Sequence, residues 1–211
     1  MIVAPMPSPI GHGLAGLAIA LVGDRSPGSV TFRQALARPA TLVCVALAAL
    51  PDADLLIPGF HRRATHSIAA TIVVTIVATV VTGWVNRSRK SQVASLESRA
   101  TSHKASARWS LSWRFVVLCA AAHASHLLTD WLGADRSEPA GIPALWPWSD
   151  RFFISGWDLF PQIERRQIFS LNSMRINLNA FVWELLMMGS VVAVAWWWRR
   201  AGRAGGAGRE G

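Results

Sequence analysis

The chain has 211 residues, of which 52% are hydrophobic and only 16% charged, against roughly 25% charged in an average soluble domain. Its formal net charge of +9 would raise nucleic acid in a soluble protein, but the basic residues flank apolar stretches and no helix-turn-helix, zinc-finger or RNA-binding signature accompanies them. The composition therefore excludes an ordinary soluble domain and predicts an all-α integral membrane bundle of about five helices, with membrane lipids as partners and no nucleic acid.

In chain order, MIVAPMPSPIGHG lacks the basic residues of a secretory leader, so no cleaved signal peptide is expected. Ile10 to Val22 and Pro39 to Leu50 are apolar but short for a bilayer. They must tilt, insert partly or be extended by flanking residues. Ser67 to Val85 contains no charge and is the clearest spanning segment. A polar linker, 86–110, rich in Ser, Arg and Lys, reads as flexible. Leu111 to Leu132 is the fourth helix and carries Arg114, His123, His126 and Asp130. An outer loop, 133–179, includes IPALWPWSDRFF, too apolar for a plain linker, and is expected at the interface or folded back over the domain. Ala180 to Trp198 is the fifth helix, interrupted by Glu184 and closed by three Trp and Arg199 and Arg200. Residues 1–200 thus form one domain, and 201–211 is a basic tail expected to be disordered. Cys44 and Cys119 lie in apolar segments and read as small hydrophobes, with neither disulfide nor metal role.

Alternating the helices across the membrane places fourteen of the twenty-one Lys and Arg on one side. The positive-inside bias makes that side cytoplasmic, with the N-terminus outside and the C-terminus inside. The same alternation puts His12, Asp52, Asp54, His61, His66, His126 and Asp130 at the outer level. His126 and Asp130, four apart on a helix, share a face, and His123 lies one turn earlier. Asp52 and Asp54, after Pro51, would point the same way in an extended turn. Ionisable groups at membrane depth are costly unless paired, turned inward or set in a wet cavity. A divalent metal ion would relieve that cost, and imidazole with carboxylate suits zinc first, manganese or iron otherwise. The bland readings are helix packing for His123, a capped turn for Asp52 and Asp54, and interface anchoring for Arg62 and Arg63. Glu184 pairs with either an arginine or the site.

PDAD at 51–54, HRRATHS at 61–67, HLLTD at 126–130, GIPALWPWSDRFF at 141–153 and the GH of Gly11 and His12 together resemble the membrane-bound metal-dependent hydrolase family, often called YdjM-like. The resemblance covers residues 8–153. It implies a bacterial inner-membrane hydrolase with a metal site held by His12, Asp52, Asp54, His61, His66, His126 and Asp130. His123 lies outside the pattern and is expected to stand behind those ligands.

The leading functional expectation is metal-assisted hydrolysis at the membrane surface, on a lipid-linked ester or phosphoester. Asp54, His66 and Asp130 are the catalytic candidates, and Arg62 and Arg63 hold the phosphate. The alternative is a non-enzymatic protein using the same His/Asp site, with metal or protons, for transport, sensing or structure.

Overall fold

The computed structural model describes residues 7–23, 30–57, 64–97, 112–136, 138–164 and 169–204. Among these the regular elements are all helices, without a strand: α1 (Pro9–Gly23), α2 (Phe32–Leu36), α3 (Pro39–Ala49), 3-10 helices at Leu50–Leu56 and Ala64–His66, α4 (Ile68–Glu97), α5 (Trp113–Leu132) and α6 (Leu171–Ala204). Five of these are the expected bundle helices, and α2 is a short addition held by a capping box between Thr31 and Gln34.

Three helices are long and apolar enough to cross a membrane: Ile68–Ser88 in α4, Trp113–Leu132, and Leu171–Ala201 in α6. The two short apolar segments solve their length problem differently. Pro51 ends α3, but the chain continues as a seven-residue 3-10 helix. At roughly 1.5 and 2.0 Å per residue the two together reach about 30 Å, the thickness of the hydrocarbon core. α1 reaches only about 22 Å, yet it packs against α3, α5 and α6 and is buried along one side from Gly11 to Leu21. It is the central helix and needs no lipid-facing span of its own.

Close packing of α1 on α3 depends on Gly16. A Cβ there would lie 2.5 Å from the Cys44 carbonyl oxygen and 2.8 Å from the Ala48 methyl, so only glycine lets the backbones meet. Contacts along the helices fix their relative directions. α1 runs antiparallel to α3, with Gly16 against Cys44 and Ala48 and His12 beside Asp52. It also runs antiparallel to α5, His12 meeting Thr129 at one end and Gly23 meeting Leu118 at the other. α6 lies parallel to α1: Ser8 meets Glu184 at one end, and Leu21 shares a core with Val192 and Ala195 at the other. α4 is peripheral, packing on α5 with Ile72, Val73, Ile76, Val77 and Val80 exposed to the lipid.

Two boundaries differ from the sequence reading. α4 continues through Asn86 to Glu97, into the stretch read as a linker, because Arg, Lys, Gln, Ala, Leu and Glu sustain a helix as well as apolar residues do. The remainder, 98–110, lies outside the described residues. α6 begins at Leu171, nine residues before the expected start at Ala180, so the outer loop is shorter than 133–179. That loop folds back over the domain. Ala134 and Phe160, Ile142 and Phe153, and Leu132 and Leu159 are joined by backbone hydrogen bonds, and the Ala144 carbonyl accepts from Ile68 N–H at the start of α4 (2.9 Å). The basic tail 201–211 lies outside the described residues beyond Ala204.

Candidate metal centre

The helix arrangement brings four chain segments to one end of the bundle: the first turn of α1, the 3-10 helix after α3, the 3-10 helix before α4, and the last turns of α5. These carry His12; Asp52 and Asp54; His66; and His126 and Asp130. All six are buried, with His12, His66 and His126 at 0% exposure. His61, Arg62 and Arg63 lie outside the described residues.

Asp130 is the hub. Its Oδ1 lies 3.2 Å from His12 Nε2, and its Oδ2 lies 3.1 Å from His126 Nε2 and 3.5 Å from His66 Nε2. Asp52 Oδ2 completes the ring at 3.8 Å from His12 Nε2. The imidazoles stack on one another, His12 on His126 with centroids 3.8 Å apart and His66 edge-on to His126 at 4.9 Å. Two overlapping ligand sets result, His12, His126 and Asp130 and, sharing His126, Asp52, His66 and His126, with the ligand atoms of each within 4.8 Å of one another.

The hydrogen bonds behind the cluster assign the proton on each ring. His126 Nδ1–H donates to the Ala48 carbonyl (2.8 Å), leaving a lone pair on Nε2. The Thr129 hydroxyl donates to the Ser125 and His126 carbonyls (3.0 and 2.9 Å). Its oxygen must therefore accept from His12 Nδ1–H (2.8 Å), and His12 Nε2 also presents a lone pair. The Thr65 hydroxyl donates to Asp54 Oδ2 (2.6 Å), so His66 Nδ1–H donates to Thr65 Oγ1 (3.0 Å), with Asp54 Oδ2 3.3 Å away. Burial pushes the His66 imidazole below its ordinary pKa, opposed by its hydrogen bond to Asp54 and the charge of Asp130. The neutral ring that results is the form that ligates metals.

The consequence is a buried cluster in which imidazole nitrogens and carboxylate oxygens face one another. Among the described residues His12 Nε2, His126 Nε2, both oxygens of Asp52 and both oxygens of Asp130 are buried and make no hydrogen bond. Such an arrangement is repulsive unless a cation or protons sit among the acceptors. Ligands sharing a tetrahedral zinc at roughly 2.0–2.1 Å lie about 3.3 Å apart, close to the 3.1, 3.2 and 3.5 Å separations around Asp130. The donor set, the separations and the rear hydrogen bonds that orient each imidazole all fit a divalent metal ion.

Four features differ from the sequence expectation or extend it. Asp52 and Asp54 do not lie in an extended turn. The 3-10 helix has three residues per turn, so the two carboxylates diverge, Asp52 toward His12 and Asp54 toward Thr65 and His66. His123 Nδ1 pairs with Thr71 Oγ1 (2.9 Å), tying α5 to α4. Thr65, Thr129 and the Ala48 carbonyl, which fix the rings, escaped the sequence reading. The two threonines stand inside HRRATHS and HLLTD, and that position was the available signal. Glu184 is 1% exposed and pairs with the start of α1 rather than with an arginine.

The chain matches the profile of the YdjM inner membrane protein family over residues 6–202. It belongs to that family and is an integral membrane protein. No curated protein and no solved structure matches it.

Proposed function

We propose that this chain is a metal-dependent hydrolase acting at the membrane surface on a lipid-linked ester or phosphoester. The observation that supports this reading is the convergence of three buried imidazole nitrogens on the carboxylates of Asp130 and Asp52, with the outer ring nitrogens of His12 and His126 already held by Thr129 and Ala48. His12, Asp52, His66, His126 and Asp130 would hold the ion, with His61 joining them on its motif position. Zinc is favoured by the nitrogen and oxygen donor set, and manganese or iron is the alternative. When bound, such an ion supplies an electrophile and a nucleophile near neutral pH.

Asp54 stands behind His66 and fixes its ring through Thr65. Its Oδ2 accepts from the Thr65 hydroxyl and lies 3.3 Å from His66 Nδ1, which would hold the ring proton on Nδ1 and strengthen Nε2 as a ligand. Asp130 would share the ion with the three imidazoles whose Nε2 atoms lie 3.1, 3.2 and 3.5 Å from its oxygens. Arg62 and Arg63 would hold a phosphate, for which the guanidinium fork is matched. Burial of the cluster inside the bundle separates it from bulk solvent.

The charge bias places the cluster on the outer face, N-terminus outside and C-terminus inside. With single cysteines, Ala140→Cys should label from outside intact cells and Ser95→Cys should not. The test of the function is elemental mass spectrometry of the detergent-purified protein followed by turnover of lipid phosphoesters. One stoichiometric metal ion, lost together with hydrolysis in His66→Ala and Asp130→Ala, is expected. Hydrolysis that survives loss of the metal, or a correctly folded wild type without metal, would reject the proposal in favour of a proton-binding cluster.

A further inference from the structure

A carboxyl in the middle of an apolar helix is costly unless donors meet it. Glu184 of α6 is such a group, and it lies outside the acceptor cluster. Its partner is the start of α1, where the first backbone N–H groups of any helix lack intrahelical acceptors. Glu184 Oε1 accepts from Ser8 N–H at 2.7 Å, and Oε2 accepts from the Ser8 hydroxyl. Ser8 passes the restraint on. Its Oγ accepts from Gly11 N–H (3.2 Å) and its carbonyl accepts from His12 N–H (3.2 Å). A Cβ at Gly11 would lie 2.9 Å from Glu184 Oε2, so a side chain there would press the carboxylate out of place. A negative group at a helix N-terminus is also favoured by the helix dipole.

We infer that Glu184 is a positioning residue for the metal centre: through Ser8 it fixes the first turn of α1 and so aims His12 at Asp130 and Asp52. His12 is then held from two sides, its backbone by α6 and its ring by Thr129 of α5. Metal ligands need placement within about 0.5 Å, and a histidine in the first turn of a helix, where ends fray, does not have that precision unaided. This inference rests on the reading of His12 as a ligand. It gives α6 a part in a site to which it contributes no ligand.

The test is a double-mutant cycle on zinc affinity, read by competition with a chromophoric chelator in the detergent-purified full chain. Glu184→Gln leaves one of the two Ser8 donors without its oxygen acceptor. It should weaken zinc binding about 10-fold, the scale found for residues that orient ligands. In a His12→Ala background the same change should alter affinity less than about twofold, because the residue being aimed is gone. Equal losses in both backgrounds would mean a general structural role and would overturn the inference, as would no loss in either. If Glu184→Gln does not fold, Gly11→Ala, which presses a methyl on Glu184 Oε2, replaces it in the cycle with the same expectations. Wild-type affinity in His12→Ala itself would remove His12 from the metal centre and the inference with it. A loss in His12→Ala with none in Glu184→Gln would overturn the inference alone.

Discussion

The same helices build two very different ends. Where α1 finishes, Leu17, Leu21, Ala35, Val192 and Ala195 form an apolar core, and the short α2 closes on itself, Thr31 and Gln34 satisfying each other's backbone donors. Arg199 and Arg200 lie over Trp196 there, as an interface belt requires. Where α1 begins, the helices instead deliver buried imidazoles and carboxylates whose inner atoms face one another. One end is locally complete. The other gathers ionisable groups that call for a cation or protons among them, and that difference separates the part that holds the bundle from the candidate metal centre.

The contrast breaks first at Asp130. Asp130→Ala removes the carboxylate that lies 3.1, 3.2 and 3.5 Å from the Nε2 atoms of three imidazoles, and with it a ligand of the proposed ion. Zinc affinity should fall more than about 100-fold, beyond the roughly 10- to 100-fold of residues that merely orient a ligand. Chelator competition measures it, and a loss under about tenfold would remove Asp130 from the centre. Stripping the metal from the wild type tests the same end without mutation. At metal concentrations near 1,000 times Kd the ion adds about 4 kcal/mol to the folded state. EDTA should therefore lower the thermal unfolding temperature of the wild type and shift that of Asp130→Ala much less.

At the opposite end the expected pattern reverses. Leu21 is 1% exposed within the apolar core. Leu21→Ala should cost about 2–5 kcal/mol through the cavity it leaves, while zinc affinity stays within about twofold. A matching loss of metal binding would show that the two ends are not separable. Thr129→Val returns to the site, keeping the shape of the side chain but deleting the oxygen that accepts from His12 Nδ1–H. The tautomer is then no longer fixed, and zinc should bind about 10-fold more weakly with little change in unfolding temperature.

How much of this was legible in the sequence follows from what each signal measures. His12, Asp52, Asp54, His66, His126 and Asp130 stood out because ionisable groups are rare beside apolar segments, and the alternation of helices placed them at one level before any coordinates did. The diverging aspartates were not legible, since nothing in PDAD distinguishes a 3-10 helix from an extended turn. The ends of α4 and α6 were missed because hydropathy locates the bilayer, not the helix, and a helix of Arg, Lys, Ala and Glu continues past the lipid. The Ala48 carbonyl that orients His126 is a backbone group and leaves no mark on the sequence. Glu184 was visible as an anomaly, but its partner, Ser8, lies 176 residues away in sequence.

The smallest effect gives the sharpest control on the comparison. Thr31 caps α2, its hydroxyl accepting from Gln34 N–H (3.3 Å) while Gln34 Oε1 accepts from Thr31 N–H (2.9 Å). Thr31→Ala removes one of these bonds and should cost about 1 kcal/mol. Because both partners are exposed, water replaces much of what is lost, and no strain passes into α1. Zinc affinity should be unchanged within error while the unfolding temperature shifts slightly downward. The Thr129→Val change deletes an oxygen of the same chemical type at the other end and should show the opposite signature, affinity lost and stability kept. If Thr31→Ala also weakened zinc, the coupling would have to run through α3, the helix that follows α2 and ends in the 3-10 segment carrying Asp52, and the division of labour between the two ends would fail there.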